Sequence, residues 1–183
     1  MKLVFDSATD SDAAELAALH GAAAAELTRR FGQGRWSSAQ TERGALRQLQ
    51  SPGFERILVA RTGKRIVGTL RLTAKKPWAI DTAYFTEARS PLYLTGMAVH
   101  PEFQRKGVGR LLMKEAEGQA RAWPADAIRL DAFDAEAGAG SFYVKCGYRE
   151  VARVTYKQNP LVYFELVLGP RIADSETGGD GKR

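Results

Sequence analysis

Hydrophobic positions along the chain switch repeatedly between strand-like runs and helical spacing, and each switch marks a predicted element. LVFDSA (3–8) opens as a first strand. Thr9, Asp10, Ser11 and Asp12 then offer N-caps, with Asp12 and Glu15 at capping-box spacing, before an Ala/Leu-rich helix to about Arg30. Ala13, Leu16, Leu19, Ala23 and Leu27 share one face of that helix. The glycines of FGQGRWSS (31–38) break it, and a shorter helix is expected over 39–50, stopped by Ser51-Pro52-Gly53. ERILVAR (55–61) and RIVGTLRLTA (65–74), joined by Thr62-Gly63-Lys64, read as an antiparallel hairpin.

A longer connection, 75–91, carries scattered aromatics and is expected to be a binding element. LYLTGMAV (92–99) is a strand in which Gly96 signals a bulge or a close backbone approach. A helix over 108–122 follows, ended by Trp123-Pro124. Its core face is predicted as Val108, Leu111, Leu112, Ala116 and Trp123, and its wet face as Arg110, Lys114, Glu117 and Arg121. Strand 127–133 comes next, then a short helix within 135–148 closed by Gly147. Strands 149–156 and 161–168 flank a turn at Gln158-Asn159-Pro160. The order βααβββαβαββ places the chain in the α/β class, as a single domain over 1–168 with a mixed sheet and helices on both faces. Residues 169–183 lose apolar periodicity and are expected to form a disordered tail.

Composition narrows the function classes. Of 183 residues, 44% are hydrophobic and 26% charged, the usage of a water-soluble globular chain with no run long enough to span a membrane. The N-terminus lacks a signal peptide's apolar core, and the single cysteine, Cys146, rules out an internal disulfide; both point to the cytoplasm. The net charge of +6 suits a small polyanionic ligand as well as nucleic acid. The densest basic stretch, 61–76, has strand character and no interleaved aromatics, so nucleic acid is not the expected partner.

Candidate chemistry concentrates at HPEFQRKGVGRLLMKEA (100–116). A helix N-terminus offers unpaired N–H groups and the positive end of a dipole, and glycines there let backbone approach a bulky anion. Gln104 through Gly109 therefore read as a diphosphate cradle, with Arg105 and Lys106 as countercharge. The stretch lacks the ending of the nucleotide P-loop and the spacing of the dinucleotide fingerprint.

LTGMAVHPEFQRKGVGRLLM resembles the signature region of the GNAT superfamily of acetyl-CoA-dependent N-acetyltransferases, with its [QR]-x-x-G-x-[GA] motif. Residues 127–148, ending FYVKCGY, resemble its second signature. The resemblance implies a twisted, mostly antiparallel sheet of about seven strands, splayed between strands 92–99 and 127–133. It implies acetyl-CoA as co-substrate and no metal. Gln104, Arg105, Lys106, Gly107, Val108, Gly109 and Arg110 would hold the pyrophosphate. Met97 and Val99 would pair with the pantetheine arm, and a main-chain N–H of Met97 or Ala98 would polarise the thioester carbonyl. Tyr143 matches the tyrosine that protonates the leaving thiolate.

Two departures stand out. The strand 92–99 carries no glutamate to serve as general base, which leaves Asp81, Glu87, Asp131, Asp134, Glu165 or a water chain. Glu136 stands where the family often has an asparagine. Trp36, Trp78, Asp81, Tyr84 and Phe85 are the expected acceptor-pocket residues. His20 and Cys146 read as structural, and His100 as a strand-end residue. The expected activity is acetyl transfer to a primary amine, of a small molecule before a protein, by a chain that neither enters membranes nor binds nucleic acid; a homodimer is admitted. The competing reading is a non-catalytic coenzyme-A-binding sensor of the same fold.

Overall fold

The computed structural model describes residues 2–51, 53 and 55–169. Among these, seven strands form one sheet in the order β1-β2-β3-β4-β5-β7-β6. They are β1 (Val4–Ser7), β2 (Glu55–Thr62), β3 (Arg65–Thr73), β4 (Pro91–Val99), β5 (Ala127–Phe133), β6 (Arg149–Tyr156) and β7 (Asn159–Val167). Every neighbouring pair is antiparallel except β4 with β5. The helices are α1 (Ala13–Phe31), α2 (Glu42–Leu49), α3 (Val108–Ala122) and α4 (Gly140–Lys145). Apart from Gly169, the expected tail lies outside the described residues, as does Pro52 of the expected helix stop.

Alternation along the strands builds the layers. Leu70, Leu92, Ile128 and Phe164 face α3 and α4. On the other side, Leu16 and Leu19 of α1 and Ala45 of α2 pack on Val59 and Ile66. The rest of that face, over β5 and β7, is covered by the connection 75–91, whose Ile80 and Phe85 pack on Tyr93, Leu161 and Tyr163. Burying each such side chain contributes about 1.5–3 kcal/mol. A polar pin fixes the cover. The buried Glu165 carboxylate accepts from the Thr86 N–H (3.2 Å) and hydroxyl (2.6 Å), and pairs with buried Arg129 at 3.1 Å. Arg129 in turn donates to the Thr86 carbonyl.

Local chemistry explains where boundaries differ from the sequence expectation. Asp12 turns back to accept from the Thr9 N–H (2.8 Å) and pairs with Arg61, while Glu15 accepts from the Ile66 N–H (2.7 Å); the expected Asp12–Glu15 box is not made. Helix α2 begins later than expected because the Thr41 hydroxyl caps it, accepting from the Gly44 N–H. The last hairpin turns on Lys157 and Gln158, both left-handed (φ 46° and 66°), and β7 therefore starts at Asn159 with Pro160 inside it. On α3, Met113 and Ala120 are buried and Leu111 is exposed, so the core stripe is rotated from the expected one.

Candidate functional site

Strands β4 and β5 stay together for three residue pairs only: Pro91 with Ala127, Leu92 with Ile128 and Tyr93 with Arg129. Beyond Tyr93 they part, while β4 remains paired to β3 through Val99 and β5 to β7 through Phe133. A V-shaped gap opens between them. The parting coincides with a bulge, where Gly96 and Met97 together oppose Leu70 and Gly96 takes φ +60°. Only glycine adopts that left-handed conformation at low cost, and the extra residue bends its strand away from β5.

Main-chain groups face the gap. The His100 N–H donates to the Val67 carbonyl of β3, so antiparallel alternation turns the N–H and C=O of Val99 away from β3 and toward β5. By the same alternation the Ala98 N–H is committed to β3, opposite Thr69. Gln104 donates from Nε2 to the Val99 carbonyl at 3.1 Å and so ties the following loop to the end of β4.

At the open end of the V, that loop runs into α3. Arg105 (φ 59°) and Gly107 (φ 85°) are left-handed, with Lys106 between them. Alternating handedness turns successive N–H groups into one concavity, the geometry of an anion nest. Among the described residues no main-chain acceptor is found for the N–H groups of Arg105 through Arg110; the first helical bond is from Leu111 to Gly107. Arg105, Lys106 and Gly107 are exposed and Val108 is buried, so the nest opens outward from a rooted helix. Lys106 stands over the Phe103 ring, and Arg110 and Cys146 line one shallow pocket. The concavity combines unpaired N–H donors with the positive charge of Arg105 and Lys106, the features that suit an anion.

Three elements meet at Gly109. A Cβ there would stand 3.2 Å from Phe142 on α4 and 3.3 Å from Met97 on β4. Next to Phe142, Tyr143 is buried against Tyr148 and Phe164. Burial, then the Asp131 charge, push its phenol well above its ordinary value, so it holds its proton throughout the neutral range. Among the described residues the buried side-chain polar atom without a partner is the Tyr148 hydroxyl, not that of Tyr143.

On the α1/α2 side of β4 lies a cleft of about 440 Å³. Met97 and Ala98 form its floor, His20 and Leu16 of α1 one wall, and Trp36 with Gln40 and Gln48 another. Trp36 is held by its indole N–H on the Gly32 carbonyl and meets Phe133 edge-on at 6.2 Å, so it spans from the α1–α2 link to the tip of β5. Burial lowers the His20 imidazole's affinity for a proton. The lining includes Arg71 but no carboxylate.

The structure thus brings Met97, Ala98, Val99, Gln104 to Arg110, Tyr143 and Trp36 around one gap. The other expected pocket residues lie elsewhere. Phe85 stacks on Tyr163 at 5.3 Å in the core, and Tyr84 meets the same ring from outside. Trp78 is 86% exposed, and Asp81 caps a 3-10 turn by accepting from the Ala83 N–H. The connection 75–91 acts as a cover for β5–β7, which is why its Phe85 serves packing. His20 was missed as a cleft residue, because a lone helical histidine carries no signal of what it faces. Among the described residues no three His, Cys, Asp or Glu gather into a metal site, and no helix is long and apolar enough to cross a membrane.

Residues 22–148 match the acetyltransferase (GNAT) family. A comparison with curated proteins gave no match. Among solved structures, the ribosomal-protein-S18-alanine N-acetyltransferase of Escherichia coli superposes with TM-score 0.69 at 12% identity, over 93% of this chain and 96% of that one. The PaiA N-acetyltransferase of Thermoplasma acidophilum, in complex with coenzyme A, gives 0.66 at 17% identity, over 89% and 98%. An aminoglycoside 6′-N-acetyltransferase complexed with coenzyme A gives 0.65 at 14% identity, over 92% and 98%. Such identities speak for a shared fold, while the sequence match to the family covers most of the chain. The chain belongs to the GNAT family of acetyltransferases.

Proposed function

We propose that the protein transfers the acetyl group of acetyl-CoA directly to the primary amine of a small molecule, as a one-domain enzyme of a reducing cytoplasm. The observation that carries this reading is the split between β4 and β5, lined by the main-chain N–H of Val99 and closed at its mouth by the N–H nest of Arg105–Arg110. Acetyl-CoA supplies a thioester whose carbonyl carbon is the acyl donor.

The chain's own groups divide the work. The nest and the α3 dipole hold the diphosphate. The Val99 N–H holds the pantetheine arm, and the Met97 N–H at the bulge is the donor to the carbonyl oxygen as charge develops there. Tyr143 donates its phenolic proton toward the leaving sulfur. Its raised proton affinity fits that role, because the same burial raises the affinity of a thiolate formed beside it.

The acceptor enters from the cleft under Trp36, whose volume suits a small molecule. An aminoglycoside carries several cationic amines, and the lining here has no carboxylate to receive them. A monoamine with an apolar body fits better. Calorimetric titration with acetyl-CoA, followed by thiol-release assays over a panel of small primary amines, tests the proposal. Binding with turnover of at least one monoamine is expected. Absence of binding heat would end the reading, and binding without turnover of any amine would favour the sensor.

A further inference from the structure

The cleft under Trp36 carries one charge. Among its described lining residues Arg71 is the single ionised side chain, because burial favours the neutral form of the His20 imidazole. Arg71 lies on β3 opposite Thr95 of β4, and Leu70 beside it packs toward α3. Strand alternation therefore turns Arg71 and Thr69 to the α1/α2 side, where both join the cleft floor.

Its guanidinium is held but not used up. Nε donates to the Thr95 hydroxyl at 2.9 Å and Nη1 to Glu55 at 3.3 Å. Glu55 is met through one oxygen only, where a carboxylate matched to the fork makes two parallel bonds. Among the described residues Nη2 has no acceptor, although the side chain is only 25% exposed. A shielded donor without a partner is costly unless a ligand supplies one. Glu55 itself belongs to the adjoining mouth over α2, which Arg47 also lines. Cleft and mouth together hold two arginines and one carboxylate, an excess of one positive charge.

The diphosphate does not claim this cation. β4 runs from Thr95, opposite Arg71, through the bulge at Gly96 and Met97 to Val99, and the nest follows only after Gln104. Arg71 and the nest thus lie on opposite sides of the bulge, one toward the coenzyme and one left to the acceptor. Met97 is two positions from Thr95, about 7 Å at the ~3.4 Å rise of a strand and less across a bulge. One amino acid bridges that span, with its carboxylate on Arg71 and its nitrogen facing a thioester held at Met97.

We infer that the acceptor is a free amino acid with an apolar side chain, and that Arg71 selects it by its carboxylate, an assignment that rests on the acetyl-transfer reading of the same cleft. Leu16, Ala23, Leu27 and Ile57 give its side chain an apolar wall. Thr95 and Glu55 fix the guanidinium before the ligand arrives, so little freedom is lost on binding. The C–N bond forms as the C–S bond breaks. Of the three ammonium protons, one stays on the amide, one ends on the sulfur and one goes to solvent. The products are an N-acetyl amino acid, the coenzyme thiol and one proton.

Paired probes isolate the carboxylate: leucine with isopentylamine, valine with isobutylamine, and phenylalanine with phenethylamine differ by that group alone. In thiol-release assays at least one amino acid should exceed its amine in kcat/KM. Arg71→Met should shrink that preference by roughly 10- to 100-fold, chiefly through the KM of the amino acid, and leave the amine within a few-fold. The different basicities of the two nitrogens cancel in this comparison. Arg71→Lys keeps the charge without the fork and should retain part of the preference. Unchanged acetyl-CoA affinity in both variants shows that they fold. The assignment is overturned by a wild type that turns over amines and no amino acid, or by variants that lose amino acid and amine equally, which would make Arg71 a structural pin. If acetyl-CoA binds and no probe releases thiol, acetyl transfer fails, and calorimetry still decides the carboxylate site. With coenzyme A present, one of the three amino acids should then bind the wild type at least tenfold more tightly than Arg71→Met. Equal affinities, or no heat from any of the three, would overturn the site as well.

Discussion

Replacing Gly107 with alanine separates backbone strain from steric contact at the anion nest. Gly107 sits at φ +85°, and a Cβ added there meets nothing within 4 Å. The substitution therefore costs conformation and not collision, about 1–2 kcal/mol for holding a side-chain-bearing residue left-handed. Two places can absorb that cost. If the loop keeps its shape, the folded state loses about 1–2 kcal/mol, a minor part of the 5–15 kcal/mol typical of a domain, and acetyl-CoA affinity is unchanged. If the loop relaxes, stability is untouched and the ligand must restore the nest, so Kd rises by about 5- to 30-fold. Urea denaturation without ligand, and calorimetric titration with acetyl-CoA, measure the two parts, whose sum should stay near the strain energy. The argument fails if both are unchanged, because the left-handed conformation would then be dispensable. It also fails if affinity collapses far beyond that range in a variant of native stability, since a Cβ would then be striking the ligand itself.

Other outcomes follow from the same geometry. Tyr143→Phe keeps the ring among Phe142, Tyr148 and Phe164; acetyl-CoA affinity should hold within a few-fold while turnover drops by roughly 10²–10⁴ in a thiol-release assay. Because Tyr143 is shifted upward, it stays protonated at and above pH 10, and its ionisation should add no falling limb to the wild-type profile below that pH. Glu165→Gln leaves Arg129 buried without its counter-ion and should cost about 3–5 kcal/mol in urea denaturation, whereas removing exposed Glu87 should cost almost nothing. At Asp12, burial works against ionisation, but the Thr9 N–H and the Arg61 guanidinium outweigh it and hold the carboxyl below its ordinary value. Its stabilisation is complete above the unfolded-state pKa of about 3.9 and fades as pH falls through the lower folded-state value. Asp12→Asn should therefore be less stable than the wild type at neutral pH, with the gap closing only in acid.

The sequence alone determined the order of elements, the class of sheet, an irregularity at Gly96 and a glycine-containing turn into the helix at Gln104–Gly109. These are local properties: strand alternation, helical spacing, and glycines whose positive φ is needed within the element that contains them. Fold-level partnership decided the rest. Whether Glu165 is a free base or a pin depends on Thr86, 79 residues away, and on Arg129 on the neighbouring strand. The role of 75–91 depends on which half of the sheet α1 and α2 leave bare, so its aromatics look the same in sequence whether they line a pocket or roof a core. The turn of the last hairpin lies at Lys157–Gln158 and not at the expected Gln158–Pro160, because non-glycine residues hold left-handed angles there under the restraint of paired strands on both sides. The gap itself, finally, depends on β4 leaving β5 beyond Arg129; only that parting leaves the end of β5 without a neighbour on the β4 side.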